Sequence, residues 1–116
     1  MPAIGPPTIL VNVFRPVYRH MVPGLSSMLD VAGARITSLF RDPQDNARVG
    51  GHPRSQHLFG FAADLAGADL GRMTEIARAE GLVAVREGDH VHVQVFTAGV
   101  IPEWVFDLVW GPDLDQ

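Results

Sequence analysis

The sequence predicts a small α+β domain in which an antiparallel sheet is flanked by helices. Apolar residues recur at helical spacing in two stretches, 23–33 and 69–80. Between residues 82 and 96, two short apolar segments are separated by a turn, and the second alternates polar and apolar residues with a period of two. This pattern is typical of an antiparallel hairpin. Because 47% of the 116 residues are hydrophobic, we expect one domain, residues 1–116, with its own core.

The N-terminal part is predicted to contain an arm, two strands and a helix. Residues 1–7 include three prolines and a glycine and should form an extended arm. The β-branched and apolar stretch 8–14 should be a strand that Pro16 ends. The helix should begin near Pro23 and end near Gly33, and residues 36–40 should form the next strand. Four polar residues before the helix are expected to have structural roles: Arg15, Tyr18, Arg19 and His20.

The remaining elements follow from turn residues and periodicity. Residues 41–54 are rich in Pro, Gly, Asp and Asn and read as a long loop, which in a small domain is usually functional. A strand over 61–65 should precede the helix 69–80, for which Asp69 is the expected N-cap and Gly81 the residue after the C-cap. The aromatic segment 101–110 is either a helix that covers the core or an exposed apolar patch for a partner.

Charge and composition exclude several functions. The net charge is −4 and all nine basic residues are Arg, so the chain lacks the basic footprint of a nucleic-acid-binding protein. The absence of cysteine excludes disulfides, cysteine nucleophiles and cysteine-type zinc sites. We find no secretory signal and no apolar run of the about 20 residues that a membrane span needs. Neither nucleic acid nor a membrane is therefore an expected partner.

Two short stretches carry residues suited to metal binding. The first runs from Ser55 to Asp64 and contains His57, and the second runs from Asp89 to Gln94 and contains His90 and His92. The alternation in the second stretch places His90, His92 and Gln94 on one face of a strand. Two imidazoles and a carboxylate are what a catalytic zinc ion requires, with a fourth position left for water. Each residue taken alone would more often have an ordinary structural role.

The order of residues in these stretches resembles the zinc D-Ala-D-Ala carboxypeptidase family, which includes peptidoglycan carboxypeptidases and phage endolysins. The resemblance lies in Ser-x-His-x-x-Gly-x-Ala-x-Asp at residues 55–64, followed by an acid three residues before a strand histidine. Upstream, the small members of the family are matched by Ser38-Leu39-Phe40-Arg41, Asn46 and Gly50-Gly51. The similarity covers residues 36–96.

The resemblance implies a Hedgehog/DD-peptidase-like zinc peptidase fold and a role for each matching residue. His57, Asp64 and His92 would bind one Zn²⁺ ion. Asp89 would be the general base that takes a proton from a metal-activated water, and Arg41 would hold the substrate or stabilise the oxyanion. Three further residues would bind substrate or support the ligands: Ser55, His90 and Gln94.

The base and the third ligand have an alternative assignment. Glu87 stands three residues before His90, as Asp89 does before His92. We favour Asp89 with His92, because Val93 and Gln94 resemble the family's continuation after the ligand. His52, in the preceding loop, is expected to be exposed and not a ligand.

These expectations lead to two hypotheses. In the first, the protein is a zinc metallopeptidase that hydrolyses peptide bonds in peptidoglycan, as a D,D- or L,D-carboxypeptidase or an endopeptidase. In the second, it is a catalytically inactive binding or structural module stabilised by zinc on the same fold. Without a signal peptide, a wall-degrading enzyme would be made in the cytoplasm and would reach the wall through lysis, a holin or a virion. The bond that is cut and the oligomeric state do not follow from the sequence.

Overall fold

The computed structural model of the protein describes residue 12 and residues 14–97. The predicted arm 1–7 and the segment 101–110 lie outside these residues, as does most of the predicted strand 8–14, of which neither described position is in a strand. The predicted α+β class is confirmed. In order, the elements are α1 (Arg15–Leu29), β1 (Arg35–Ser38), α2 (Pro43–Arg48), a 3₁₀ helix (Gln56–Phe59), β2 (Ala62–Ala66), α3 (Leu70–Ala79), β3 (Val83–Glu87) and β4 (His90–Gln94).

The four strands form one antiparallel sheet in the order β1-β2-β4-β3. β3 and β4 form the predicted hairpin, in which Glu87 pairs with His90 and Val85 with His92. β2 lies on the other side of β4, and there Asp64 pairs with His92. A histidine of the hairpin and the carboxylate of β2 are therefore direct neighbours across two strands.

The two faces of the sheet have different chemistry because side chains alternate along each strand. One face carries the buried Ala63, Leu65, Val91 and Val93, which join α1 and α3 in the main hydrophobic core. The other face carries the polar residues of β2 and β4. The helices thus cover one face and leave the opposite face for polar chemistry.

Helix α1 begins earlier than the sequence predicts. It starts at Arg15, with Pro16 in the first helical positions, and Pro23 lies in its interior. The prediction that Pro23 begins the helix is therefore wrong, since Pro16, interpreted as the end of a strand, is the proline that suits a first turn. Met21, Leu25 and Met28 are buried along one face of α1. This apolar packing offsets the backbone hydrogen bond that Pro23 cannot donate.

The long loop predicted over residues 41–54 contains a short helix, α2. Asp42 caps it through Oδ1, which accepts a hydrogen bond from the Asp45 amide at 2.7 Å. Pro43 occupies the first turn. An Asp-Pro pair is a helix-start signal that the loop composition obscured. Buried Asn46 then donates a hydrogen bond to the His52 carbonyl at 2.6 Å and so holds the turn that follows α2 against the helix.

α1 ends at Leu29 and not near Gly33 as predicted, whereas the remaining boundaries agree with the sequence prediction within one or two residues. α3 is capped by Asp69, whose Oδ1 accepts from the Arg72 amide at 3.0 Å, and Gly81 follows it with φ of +84°. β2 matches the predicted strand 61–65. None of the described helices has the length and apolar composition of a membrane span.

A second apolar cluster joins α1 to the 3₁₀ helix. Leu58, Phe59 and Phe61 are buried there against Phe14 and Tyr18. The Tyr18 hydroxyl donates a hydrogen bond to the Phe59 carbonyl, and burial raises the pKa of Tyr18. The cluster holds in place the 3₁₀ helix that contains His57.

Candidate metal centre

Three predicted ligands, His57, Asp64 and His92, come together from three different elements. One potential ligand atom of each lies within 4.8 Å of the others. His57 Nε2 is 3.5 Å from Asp64 Oδ2, and His92 Nδ1 is 3.0 Å from Asp64 Oδ1. Donors bound tetrahedrally at zinc-ligand bond lengths lie about 3.3 Å apart. The spacing therefore fits a single metal ion.

Local structure explains how residues seven positions apart face one point. Ser55 caps the 3₁₀ helix that carries His57, accepting a hydrogen bond from the His57 amide at 3.2 Å. Gly60 then reverses the chain with φ of +70°, a conformation that glycine adopts without steric cost. The chain enters β2 and reaches Asp64. Ser55 thus positions the backbone of His57.

The far nitrogen of each imidazole is held by a hydrogen bond. His57 Nδ1 donates to the Leu39 carbonyl at 2.9 Å, which leaves Nε2 to face Asp64. His92 Nε2 donates to Gln94 Oε1 at 2.9 Å, and Gln94 Nε2 donates to the Phe96 carbonyl at 2.8 Å, which fixes the amide orientation. Such outer hydrogen bonds are characteristic of metal-binding histidines because they fix the ring and its tautomer.

The cluster is strongly coupled in its electrostatics. Burial favours a higher pKa for Asp64, but hydrogen bonds and charge from His57 and His92 hold that pKa well below its ordinary value. The hydrogen bond to Asp64 raises the pKa of His92 despite its burial. Both shifts favour a proton on His92 that is donated to the ionised Asp64, and a cation bound there would take the place of that proton.

Arg41 lies directly beside the proposed ligands. Its guanidinium Nη2 donates to Asp64 Oδ2 at 2.9 Å, and its Nε donates to Ser38 Oγ at 3.0 Å. Ser38 reaches this face because β1 is irregular between Ile36 and Ser38, so that Ser38 pairs with Asp64. A positive charge is therefore fixed next to the carboxylate, at the edge of the cluster.

The two acids proposed as a base lie in different surroundings. The Asp89 side chain is 99% exposed, and its Oδ1 accepts from His90 Nδ1 at 3.0 Å, which lowers the pKa of Asp89 and raises that of His90. Glu87 instead faces the cluster. Its Oε1 is 3.5 Å from His90 Nε2, and Glu87, His90 and Asp64 form a second group with ligand atoms within 4.8 Å.

His52 is not part of either group. It is exposed, and its Nδ1 accepts a hydrogen bond from the Arg54 amide at 3.0 Å. This position agrees with its predicted role as a loop residue.

Comparison with protein families identifies the chain. A family model described as Peptidase M15 matches residues 13–94, more than half of the sequence. The chain belongs to the peptidase M15 family. The resemblance drawn from the motifs is thereby confirmed, and the match includes every residue of the metal-capable cluster. Comparison with curated proteins and with solved structures gave no significant match.

One contribution to the site of this M15 peptidase was missed in the sequence. The Leu39 carbonyl, which orients His57, is a backbone atom whose position depends on tertiary packing. Glu87 was considered in the sequence only as a base with His90 as the ligand, but its position on the face of the cluster had a detectable signal. Counting back from His90 through the two-residue turn Gly88-Asp89 places Glu87 opposite His90, on the same face.

Proposed function

We propose that this M15 peptidase is a zinc-dependent enzyme that hydrolyses peptide bonds in bacterial peptidoglycan. The observation that carries the proposal is the meeting of His57, Asp64 and His92 with both imidazoles oriented by outer hydrogen bonds. The donor set, two nitrogens and one oxygen, is that of catalytic zinc sites, which keep one position open. The peptidoglycan substrate is supported by the motif resemblance at residues 36–96.

Each residue of the cluster has a defined task in this mechanism. His57, Asp64 and His92 hold the zinc ion, which when bound lowers the pKa of water and polarises the scissile carbonyl. Arg41, which donates to Asp64, offers its guanidinium to a substrate carboxylate or to the developing oxyanion. Gln94 keeps His92 in the ligand tautomer. The protein thus supplies orientation and fixed charge.

For the general base, the surroundings favour Glu87 over Asp89. Glu87 lies close to Asp64 and His90 on the face of the ligands, whereas Asp89 is fully exposed and turned toward His90 Nδ1. A general base must be within reach of the proton that it takes. We therefore assign the base to Glu87, with His92 as the third ligand, and assign Asp89 to the orientation of His90.

The wall beside the cluster supports a substrate with a small apolar side chain. Val85 pairs with His92 across the hairpin, on the same face, and is 47% exposed. An exposed valine next to the ligands offers contact to a methyl group, as in the alanine residues of peptidoglycan stems. Polar contacts would come from Arg41 and His90.

The test compares two matched carboxamide variants on purified peptidoglycan. We expect Glu87→Gln to lower kcat by about a hundredfold or more, the usual loss of a general base, while the protein still binds one zinc ion. Asp89→Asn should lower kcat far less. Mass spectrometry of the released muropeptides identifies the bond, and elemental analysis gives the zinc content.

Three results would contradict parts of this proposal. A larger decrease of kcat in Asp89→Asn than in Glu87→Gln would indicate that Asp89 is the general base. Full zinc content in His57→Ala would remove His57 as a ligand. Zinc-loaded wild-type protein that releases no muropeptide would exclude the peptidoglycan substrate.

A further inference from the structure

A second set of metal-binding side chains converges on the carboxylate of Asp64. His90 Nε2 is 3.5 Å from Glu87 Oε1 and 3.9 Å from Asp64 Oδ1. All three potential ligand atoms lie within 4.8 Å of one another. Asp64 Oδ2 lies 3.5 Å from His57, whereas Oδ1 lies between the two clusters, 3.0 Å from His92 and 3.9 Å from His90. One carboxylate can therefore serve two neighbouring cations, as bridging carboxylates do in two-metal sites.

The orientation of His90 supports this reading independently of the first cluster. Asp89 Oδ1 accepts a hydrogen bond from His90 Nδ1 at 3.0 Å. The ring is thereby held in the tautomer whose Nε2 lone pair points toward Glu87 and Asp64. This is the carboxylate-histidine arrangement that accompanies metal ligands, and it gives the exposed Asp89 a function.

We propose that Asp64, Glu87 and His90 form a second, weaker zinc site, whose occupation inhibits the peptidase when zinc is in excess. Its ligands are more exposed than those of the first site, with side-chain exposures of 31% for His90 and 52% for Glu87 against 3% for His57. It also shares Asp64 with the first ion, and two adjacent dications repel each other. The second ion therefore binds only after the first.

Inhibition follows because Glu87 would be both a ligand of the second ion and the general base. This step rests on the proposed function of Glu87 as the base. A Glu87 carboxylate that binds a cation cannot accept a proton from the attacking water. Zinc at the second site would therefore stop turnover without displacing zinc from His57 and His92. The same hairpin that supplies the base would also make the enzyme sensitive to its own metal.

The test measures zinc stoichiometry by equilibrium dialysis and elemental analysis, at one equivalent of Zn²⁺ and at large excess. Wild type should bind one ion and then two. His90→Ala should bind one ion under both conditions. His52→Ala, which removes an exposed histidine outside the cluster, is the matched control and should behave as wild type. Asp89→Asn should weaken the second site about tenfold or more, through loss of the orienting hydrogen bond.

Activity at the two zinc concentrations is the second readout. Excess zinc should lower the activity of wild type by about a hundredfold, the size expected when a general base is lost. In His90→Ala, the ratio of the two activities should be close to one.

A single bound ion in wild type at excess zinc, or two ions in His90→Ala, would overturn the second site and leave the proposed function intact. Two ions without loss of activity would overturn the inhibitory role. If no variant hydrolyses peptidoglycan, the proposed function fails, while the stoichiometries still decide the second site.

Discussion

At the scale of single residues, the site depends on hydrogen bonds that fix the ligands. The sequence alone identified His57, Asp64 and His92, because the residue types in their motifs follow one another in an unusual order. It also named Gln94 as a supporting residue. It did not show which nitrogen of each imidazole faces Asp64. That choice is made by the Leu39 carbonyl and the Gln94 amide, through contacts that depend on the folded backbone.

The Gln94 amide should therefore control zinc affinity. We expect Gln94→Leu to weaken zinc binding about 10- to 100-fold, because His92 loses the acceptor that holds its tautomer. Competition titration against a zinc chelator measures the affinity. Gln44→Leu, at an exposed position of α2, is the control and should leave it unchanged. Equal affinities in both variants would show that the amide does not orient His92.

The ion-pair chemistry of Asp64 and His92 predicts the pH dependence of stability in the metal-free protein. The pKa of Asp64 is lowered by folding, so its stabilising contribution is present above the unfolded-state pKa of about 4 and is lost as pH falls through the folded-state value. The pKa of His92 is raised, so its contribution is present below about pH 6.5 and is lost as pH rises through the folded-state value. The free energy of unfolding should therefore be highest between about pH 4 and 6.5.

Urea unfolding with a chelator present, repeated at pH values below, within and above this range, measures the effect. His92→Gln should reduce the decline on the alkaline side. A metal-free protein whose stability rises steadily from pH 5 to pH 8 would contradict the coupling between His92 and Asp64.

At the scale of elements, the regions that sequence patterns predicted well are those with local signals. α3 has a capping aspartate and a terminal glycine, and the second strand of the hairpin alternates strictly between polar and apolar residues. α1 was placed too late because its first turns are polar and contain Pro16, so only their packing identifies them as helical. α2 was missed because it is short and depends on a cap and on a buried Asn46.

The turn that follows α2 should be sensitive to a single added methyl group. A Cβ at Gly51 would lie 2.8 Å from Asn46 Cγ, and Asn46 is 2% exposed and bound to the His52 carbonyl. We expect Gly51→Ala to lower the free energy of unfolding by about 2–3 kcal/mol through overpacking and loss of that hydrogen bond.

Gly50→Ala is the matched control for this substitution. Its Cβ would meet nothing within 4 Å, and only its φ of +75° opposes alanine, so the expected loss is about 1 kcal/mol. Chemical denaturation of both variants measures the difference. A smaller decrease in the free energy of unfolding for Gly51→Ala than for Gly50→Ala would show that the Asn46 side chain can move aside at little energetic cost.

At the scale of the whole molecule, the core and the candidate site lie on opposite faces of one sheet. The apolar pattern was sufficient to predict the class of fold and part of the core, since Val91 and Val93 alternate with polar residues. The pairing of β2 with β4 joins residues far apart in sequence, and no local pattern encodes it. That pairing brings Asp64 to His92, so the geometry of the site required the tertiary structure.

Because the core is separate from the ligands, removing the metal should abolish activity without unfolding the protein. We expect a chelator-treated sample to keep its far-UV circular dichroism. Saturating zinc, at about 100 times Kd, should stabilise it by about 2.7 kcal/mol and raise Tm by about 10 °C. Calorimetry with and without zinc measures the shift. A metal-free chain without folded structure would instead indicate a zinc ion whose role is structural.

The direct pairing of Asp64 with His92 also links strand alignment to metal retention. If β4 slipped by one residue against β2, Val91 and Val93 would turn outward and the histidines would turn into the apolar interior. Such a misassembled chain would present no imidazole to the carboxylate. If the protein binds zinc as proposed, zinc capture would report correct assembly of the sheet, and a colorimetric zinc assay could select properly folded members from a library of core variants.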